Sequence, residues 1–313
     1  MPDARQDVAS RGDKIPEPLW PADDSSRAPK SDDAVAGSLI GSVGTTRDAT
    51  WVVSWHDGPM AAPMHRETDA DFATRLAIET GRILVGLRQQ MFANGANQWD
   101  VKAAGDAAAQ AFLEAELHTH RPDDAVLSEE EGQTDERRFH SDRVWIIDPL
   151  DGTREFSEPG REDWAVHVAL WENGTFGAAA VSLPAIRAVF ATNPAPSVPT
   201  VKRERPRLIT SRNRAPYSAV LVAEGLDVDA VRLGSAGAKA MALLMGHADI
   251  YVHDGGMYQW DTAAPAAVAM AAGLHASRLD GSPLVYNNRD PWLPDFIVCR
   301  PELADPVLTA IWG

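Results

Sequence analysis

The stretch WIIDPLDGTREF, residues 145–156, decides what this chain can fold into and bind. An apolar run ends in two carboxylates, Asp148 and Asp151, which are separated by a proline and Leu150. Mg²⁺ prefers oxygen ligands in octahedral geometry. The two carboxylates and the Leu150 carbonyl could supply three such oxygens from one turn. Taken alone, the same letters are also compatible with an ordinary Asp-rich turn.

The residues that follow the second aspartate suit a phosphate group. Gly152 permits a close approach of the backbone. A helix that begins at Thr153 would present its free N–H groups to an anion. One short segment would then bind metal and phosphate together.

Three further acidic positions occur where such a site could use them. LSEEEG, residues 127–132, places carboxylates directly after a short apolar run. Asp261 stands where a helix is expected to begin, and Asp106 opens a helix predicted over residues 106–118. Each also has a simpler explanation. The LSEEEG segment could be a solvated acidic loop, and Asp261 and Asp106 could be helix N-caps. Their combination, in this order and spacing, favours a metal site.

Apolar periodicity outlines the domain organisation. It predicts an amphipathic helix over residues 71–88. Short apolar runs and the Asn173-Gly174 pair predict an antiparallel sheet, and strands alternate with helices after the proline-rich stretch 193–206. The predicted organisation has three parts: a disordered N-terminal extension (1–66), an α+β region with the sheet and the metal site (67–200), and a C-terminal α/β region that completes the active site (201–313).

Bulk composition restricts the possible partners. A net charge of −16 argues against nucleic acid and anionic membranes as partners. The sequence contains no apolar run long enough to predict a membrane-spanning helix. Its single cysteine, Cys299, suits a reducing cytoplasm. The polar start contains no secretory signal. Met60 and Met64 precede the first periodic segment, which raises the hypothesis that translation begins at one of them.

The acidic motifs resemble those of the inositol-monophosphatase superfamily, whose members are metal-dependent, lithium-sensitive phosphatases. The resemblance runs from about Asp69 to near the C-terminus. It implies an α/β fold layered as an α-β-α-β-α sandwich and two or three Mg²⁺ ions per site, and a homodimer is a further expectation. It implies these metal ligands: Glu129, Asp148, the Leu150 carbonyl, Asp151 and Asp261.

The surrounding letters resemble the CysQ-like 3'(2'),5'-bisphosphate nucleotidases within that superfamily, notably GSAGAKAM (234–241) and HASRLDGSPLVYN (275–287). This resemblance implies a small nucleotide bisphosphate as substrate. The 3'-phosphate of adenosine 3',5'-bisphosphate would be hydrolysed to give AMP and phosphate, and 3'-phosphoadenosine 5'-phosphosulfate is a further candidate. The implied substrate contacts are Gly152, Thr153, Gly234, Ser235, Lys239 and Arg278.

The resemblance also implies a direct in-line attack by water. Glu129 and Asp151 would share a first metal, and Asp148, Asp151 and Asp261 would hold a second. Asp106, Glu129 and Thr153 are the implied catalytic residues, with Asp106 and Thr153 orienting the water. The family usually has a Val-Thr pair shortly before this aspartate, where the chain has Lys102-Ala103-Ala104-Gly105.

Three alternatives stay open at this level. The same chemistry could act on inositol monophosphate or on fructose 1,6-bisphosphate. The fold could serve a non-catalytic, metal-binding regulatory protein, although every expected carboxylate is present. A two-metal exonuclease is disfavoured by the sequence pI of about 4.9. His167, which alternates with valines, is interpreted as a core or sheet-face histidine and not as a ligand.

Overall fold

Two five-stranded sheets and seven helices make up the described part of the computed structural model, residues 67–129 and 136–313. The predicted disordered extension, residues 1–66, and Glu130 of the acidic loop lie outside the described residues. Within the described ranges, no helix has both the length and the apolar character needed to cross a membrane.

The helices are α1 (Asp69–Ala93), α2 (Gln98–His120), α3 (Thr153–Ser157), α4 (Tyr217–Gly225), α5 (Ala236–Leu244), α6 (Gln259–Ala271) and α7 (Ala304–Trp312). The strands are β1 (Ala125–Ser128), β2 (Arg143–Asp151), β3 (Ala165–Glu172), β4 (Thr175–Leu183), β5 (Ala188–Ala191), β6 (Arg207–Ser211), β7 (Asp229–Leu233), β8 (Ile250–Tyr258), β9 (His275–Ser277) and β10 (Trp292–Cys299). Short 3₁₀ turns occur at Glu136–Phe139, Pro184–Ile186 and Pro301–Leu303.

The first sheet, sheet A, has the order β1-β2-β3-β4-β5. Strands β1 and β2 are parallel, and the other neighbours are antiparallel. The predicted hairpin is present, with Asn173 and Gly174 both at positive φ between β3 and β4. Side chains alternate between the two faces: on β3, Val166 and Val168 pack into the core beneath α1 and α2, whereas His167 points to the opposite face.

The second sheet, sheet B, has the order β7-β6-β8-β10-β9. Strand β6 is parallel to both of its neighbours, and β10 is antiparallel to β8 and β9. The outer face of sheet B packs on α4 and α7 through a core that includes Leu208, Val222, Ile297 and Val307. Sheet A ends before the proline-rich stretch 193–206, and sheet B begins after it.

The helices complete five layers. Helices α1 and α2 cover one face of sheet A, and α5 and α6 lie between its other face and sheet B. Helices α4 and α7 cover the far face of sheet B. The predicted α-β-α-β-α sandwich is therefore confirmed, and the middle layer joins the two sheets.

The starts of two helices differ from their predicted positions. Helix α2 begins at Gln98, because the Asn97 side chain caps it by accepting hydrogen bonds from the Trp99 and Asp100 N–H groups at 2.9 and 3.1 Å. Asp106 therefore lies inside the helix and does not open it. Asp261 lies in the first turn of α6 and is not its N-cap residue; its Oδ2 accepts from the Tyr258 N–H at 2.6 Å.

Candidate active site

Strand β2 ends in the turn that carries the first two aspartates. The pairing of β2 with β3 is regular up to Asp148 and shifts before Asp151, so the backbone leaves the ladder where the acidic turn begins. The Leu150 N–H donates to Asp148 Oδ1 at 3.1 Å. Thr153 begins α3 as predicted, and its hydroxyl donates to the Leu150 carbonyl at 3.2 Å. The threonine hydroxyl thus contacts the carbonyl expected to bind metal.

Gly152 is required in this turn for two reasons. Its φ of 82° lies in the left-handed region that glycine tolerates best. A Cβ here would also lie 3.0 Å from the Ser235 Cβ and 3.1 Å from the Asp163 carbonyl oxygen. The turn therefore packs directly on the segment that leads into α5.

Helix α2 reaches the same turn through a glycine that sequence reasoning passed over. A Cβ on Gly105 would lie 2.5 Å from a Phe156 ring carbon and 2.9 Å from a Leu150 methyl carbon. The absence of a side chain lets α2 pack closely on the turn and on α3. Asp106 is the next residue and lies within α2, not at its start.

Three of the predicted metal ligands come together. Each of Asp148, Asp151 and Asp261 contributes a carboxylate oxygen, and these oxygens lie within 4.8 Å of one another. They are the three residues assigned to the second metal. Glu129 follows β1 and is exposed, yet it is close enough that its charge raises the pKa of Asp148.

The N-terminus of α5 holds Asp151. The Gly237 N–H donates to Asp151 Oδ2 at 2.7 Å, and the Ser235 hydroxyl donates to the same oxygen. The Ser235 oxygen also caps α5 by accepting from the Ala238 N–H at 2.9 Å. A carboxylate is favoured at a helix N-terminus because the helix dipole is positive there. Two donors from the start of α5 thus converge on one oxygen of Asp151.

The pKa values of the three carboxyls diverge. Burial raises the pKa of Asp148 well above its ordinary value, and the charges of Asp151, Glu129 and Asp261 raise it further. Burial and the Asp151 charge raise the pKa of Asp261 to about 6. Burial also opposes the ionisation of Asp151, but the His167 ring, the Lys239 charge and the Ser235 hydroxyl outweigh it and lower the pKa to about 2.

The arrangement fits a hard divalent cation. Asp148 Oδ2 is buried and has no hydrogen-bond partner among the described residues, which is costly unless a ligand satisfies it. The cluster offers carboxylate oxygens, the ligand type that Mg²⁺ and similar ions prefer. A bound cation would also relieve the mutual repulsion that raises the pKa of Asp148 and Asp261.

The predicted substrate residues occupy two places. Gly234, Ser235 and Lys239 lie next to Asp151, where the buried Lys239 ammonium donates to the Gly234 and Ser235 carbonyls at 3.2 and 2.6 Å. Burial lowers the pKa of Lys239. Arg278 instead follows β9 and donates twice to the Asp295 carboxylate on β10, at 2.8 and 2.7 Å.

His167 is a neighbour of the acidic cluster that the sequence did not identify as one. The interpretation as a buried, sheet-face histidine agrees with its position, because its side chain is fully buried on β3. Its Nε2 lies 3.3 Å from Asp151 Oδ2, which places the ring against the acidic cluster. Strand alternation indicated the face on which His167 lies, but it could not indicate that Asp148 is its cross-strand partner.

Comparison with known proteins identifies the class. Residues 65–312 match the model of the inositol monophosphatase family, and the chain therefore belongs to that family. It is 49% identical over 242 residues to the 3'-phosphoadenosine 5'-phosphate phosphatase of Mycobacterium tuberculosis, which covers 74% of this chain and 89% of that protein. The Mycobacterium leprae protein of the same name is 46% identical over 261 residues, covering 78% and 93% of the two chains.

A solved structure agrees with the fold. The crystal structure of CysQ from Bacteroides thetaiotaomicron, described as a bacterial member of the inositol monophosphatase family, superposes with a TM-score of 0.64. It is 23% identical in sequence and covers 76% of this chain and 99% of that one. At this identity the likeness supports the architecture described above.

Proposed function

We propose that this protein is a Mg²⁺-dependent phosphomonoesterase that hydrolyses the 3'-phosphate of adenosine 3',5'-bisphosphate to AMP and phosphate. The observation that carries the chemistry is the buried cluster of Asp148, Asp151 and Asp261 beside the start of α3. The choice of substrate rests on the names of the mycobacterial relatives at 46–49% identity.

The metal ligands in this proposal are the cluster, Glu129 and the Leu150 carbonyl, which together would hold two or three ions. Divalent ions bound here would activate a water molecule and neutralise charge on the phosphoryl oxygens and the leaving oxygen. The protein itself contributes rigid placement: α5 fixes Asp151 through Gly237, and the Thr153 hydroxyl contacts the Leu150 carbonyl. Catalysis of this kind depends on such preorganisation, because little reorganisation is then needed in the transition state.

The water and the phosphate would be positioned by neighbouring residues of the turn and of α2. Asp106 and the Thr153 hydroxyl are the proposed pair that orients the attacking water. The backbone N–H groups of Gly152 and Thr153 would bind the phosphate at the start of α3. Close packing at Gly105 supports this arrangement, since it holds α2 against the turn.

The proposed nucleotide contacts stay Gly234, Ser235, Lys239 and Arg278. Lys239 and Arg278 already donate hydrogen bonds to protein groups, so a bound nucleotide would have to share or displace those bonds. The proposal includes action on 3'-phosphoadenosine 5'-phosphosulfate, inhibition by Li⁺, a cytoplasmic location and a homodimer. Sedimentation of the purified protein at several concentrations tests the last of these.

Phosphate release from three substrates tests the main proposal. The substrates are adenosine 3',5'-bisphosphate, inositol 1-phosphate and fructose 1,6-bisphosphate, each with Mg²⁺, with a chelator, and with Mg²⁺ plus Li⁺. We expect kcat/KM to be much the highest for the nucleotide, and activity to disappear with the chelator. A preference for either sugar phosphate would keep the chemistry but reject the substrate, and no turnover at all would reject both.

A further inference from the structure

His167 contacts all three segments that carry the acidic cluster. It lies directly across from Asp148 in the pairing of β2 with β3, and its Nδ1 is 3.8 Å from Asp148 Oδ2. Its Nε2 is 3.3 Å from Asp151 Oδ2. Its Nδ1 is also 3.1 Å from the carbonyl oxygen of Trp260, the residue before Asp261. One ring therefore spans the end of β2, the acidic turn and the first turn of α6.

The ring has no room to move. It is fully buried, and α5 packs on it through Gly237, where a Cβ would lie 2.1 Å from the ring Nε2. The N–H of Gly237 donates to the same Asp151 oxygen that faces the ring. Because residue 237 has no side chain, the start of α5 and the imidazole ring can both lie against the same oxygen of Asp151.

The contact with the Trp260 carbonyl shows which ring nitrogen of His167 carries a proton. A backbone carbonyl can only accept a hydrogen bond, so Nδ1 is the donor in this contact. The contact connects β3 to α6 one residue before a ligand. The Nε2 end lies 3.3 Å from Asp151 Oδ2 and makes no hydrogen bond among the described residues, so the ring meets that carboxylate by close packing. The ring therefore lies between the Asp151 carboxylate and the residue before Asp261, which belong to elements that are far apart in the sequence.

We propose that His167 is a positioning residue for the metal site: it holds the Asp151 and Asp261 carboxylates at the separation that a divalent cation requires. This inference rests on the proposed function, because it assumes that the cluster binds a divalent ion. Residues that contact and orient the metal ligands, without binding the metal themselves, typically contribute about 10–100-fold to metal affinity. We therefore expect loss of the ring to weaken Mg²⁺ binding by about that factor, without removing any ligand.

Two substitutions each preserve the reach of one ring nitrogen and remove that of the other. In His167→Asn the amide nitrogen can reproduce the Nδ1 contact with the Trp260 carbonyl, but the side chain is too short for Asp151. In His167→Gln the amide can reach towards Asp151, but the Nδ1 contact is lost. The control is Ser182→Ala on the neighbouring strand β4, which removes a buried hydrogen bond of 2.8 Å to the Ala77 carbonyl on the opposite face of sheet A.

Isothermal titration calorimetry of the full chain with Mg²⁺ measures the effect directly. We expect both His167 variants to bind with a Kd about 10–100-fold higher than the wild type, and Ser182→Ala to bind like the wild type. Steady-state kinetics should show a matching rise in the Mg²⁺ concentration for half-maximal activity. Most of kcat should return at saturating Mg²⁺, since every ligand is still present.

Several outcomes would overturn the inference. It is wrong if both His167 variants bind Mg²⁺ as tightly as the wild type, or if Ser182→Ala weakens binding equally. If the His167 variants do not fold, Gly237→Ala replaces them, because its added Cβ displaces the ring; unchanged Mg²⁺ affinity in that variant would also reject the role. A wild-type protein that binds no divalent ion would instead reject the proposed function.

Discussion

The two faces of sheet A are built from alternate residues of the same strands, yet they differ in the side chains that they bury. Towards α1 and α2, β2 and β3 present Trp145, Ile147, Val166 and Val168, which are all buried in one apolar core. Towards α5 and α6, the same strands also bury Ile146 and Ala169, but there they add the ionisable residues Asp148 and His167 at the site, and we call this the charged face.

The comparison shows how stability and function are divided at this sheet. Burial of the apolar face favours folding by about 25 cal/mol for each Å² removed from water. The charged face also buries carboxylates that repel each other, and their burial opposes folding unless a cation binds. The apolar core holds the charged face in place. Four experiments test whether the two faces act separately, and their expected effects range from a large loss of turnover to small shifts in Tm.

The largest effect is expected from Asp148→Asn on the charged face. Turnover should fall by about 10³-fold or more, because a proposed metal ligand is lost. When both proteins are free of metal, the variant should be at least as stable as the wild type. The raised pKa of Asp148 indicates that the charged carboxylate is disfavoured in the folded protein. Phosphate release and urea unfolding in chelator measure the two quantities.

Asp124→Asn is the matched control. This carboxylate is also buried near sheet A, but it accepts hydrogen bonds from Arg143 at 2.8 and 3.0 Å and from the Trp145 ring at 2.8 Å. The substitution should lower stability and leave kcat of the folded enzyme nearly unchanged. Equal losses of turnover in the two variants would contradict the division between the faces.

Leu170→Ala tests the apolar face. Leu170 is fully buried in the core beneath α1 and α2. Its truncation should lower the free energy of unfolding by about 2–5 kcal/mol. Activity per folded molecule should stay close to wild type, because the side chain points away from the acidic cluster. Urea unfolding measures the loss of stability, and kcat is measured at a temperature well below the Tm of the variant. A fall in kcat of the folded variant as large as its loss of stability would show that the two faces are not independent.

The pH dependence of the metal-free protein tests the charged face again. The pKa of Asp261 is raised from 3.8 to about 6, so the folded state binds its proton more tightly. Its contribution to stability is complete below pH 3.8 and is lost as the pH rises through about 6. The difference between those pKa values is equivalent to about 3 kcal/mol. Asp151, with its pKa lowered to about 2, acts in the opposite direction and loses its contribution below that window.

Urea unfolding in chelator between pH 4 and 7, for the wild type and for Asp261→Asn, measures this effect. The variant should lose less stability over that interval, because asparagine does not titrate and only the remaining carboxyl with a raised pKa, Asp148, still contributes to the loss. Saturating Mg²⁺ should also remove the loss in the wild type. Identical pH profiles for both proteins in chelator would show that the carboxyl is not buried among like charges.

The smallest effects are expected at two glycines in the helices that cover the apolar face. Gly105→Ala places a Cβ 2.5 Å from the Phe156 ring and should cost about 1–3 kcal/mol, with a fall in kcat as Asp106 moves. Gly86→Ala in α1 meets nothing within 4 Å and should stabilise by about 0.5–1 kcal/mol. Thermal unfolding of both variants should show Tm shifts of opposite sign, and a shift in the same direction would contradict the close packing of α2.

Much of the site could be predicted because its signals are local. Asp148, Asp151, Gly152 and Thr153 lie within six consecutive residues, and strand, turn and helix start follow from that one segment. The prediction that Asp106 opens a helix was wrong because the start of α2 is polar. Its cap is Asn97, and Trp99 in its first turn is 81% exposed, so apolar periodicity gave no sign of the earlier start.

By itself, the sequence determined the family, the layered fold and the identity of the acidic residues, since these depend on residue type and on spacing along the chain. The tertiary structure alone decided which groups face those acids. His167, Gly237 and Gly105 come from three separate elements, and their roles depend on distances between atoms that are remote in sequence. Long-range packing sets such distances, and a carboxylate acquires its pKa and its metal-binding geometry only from the neighbours that packing provides.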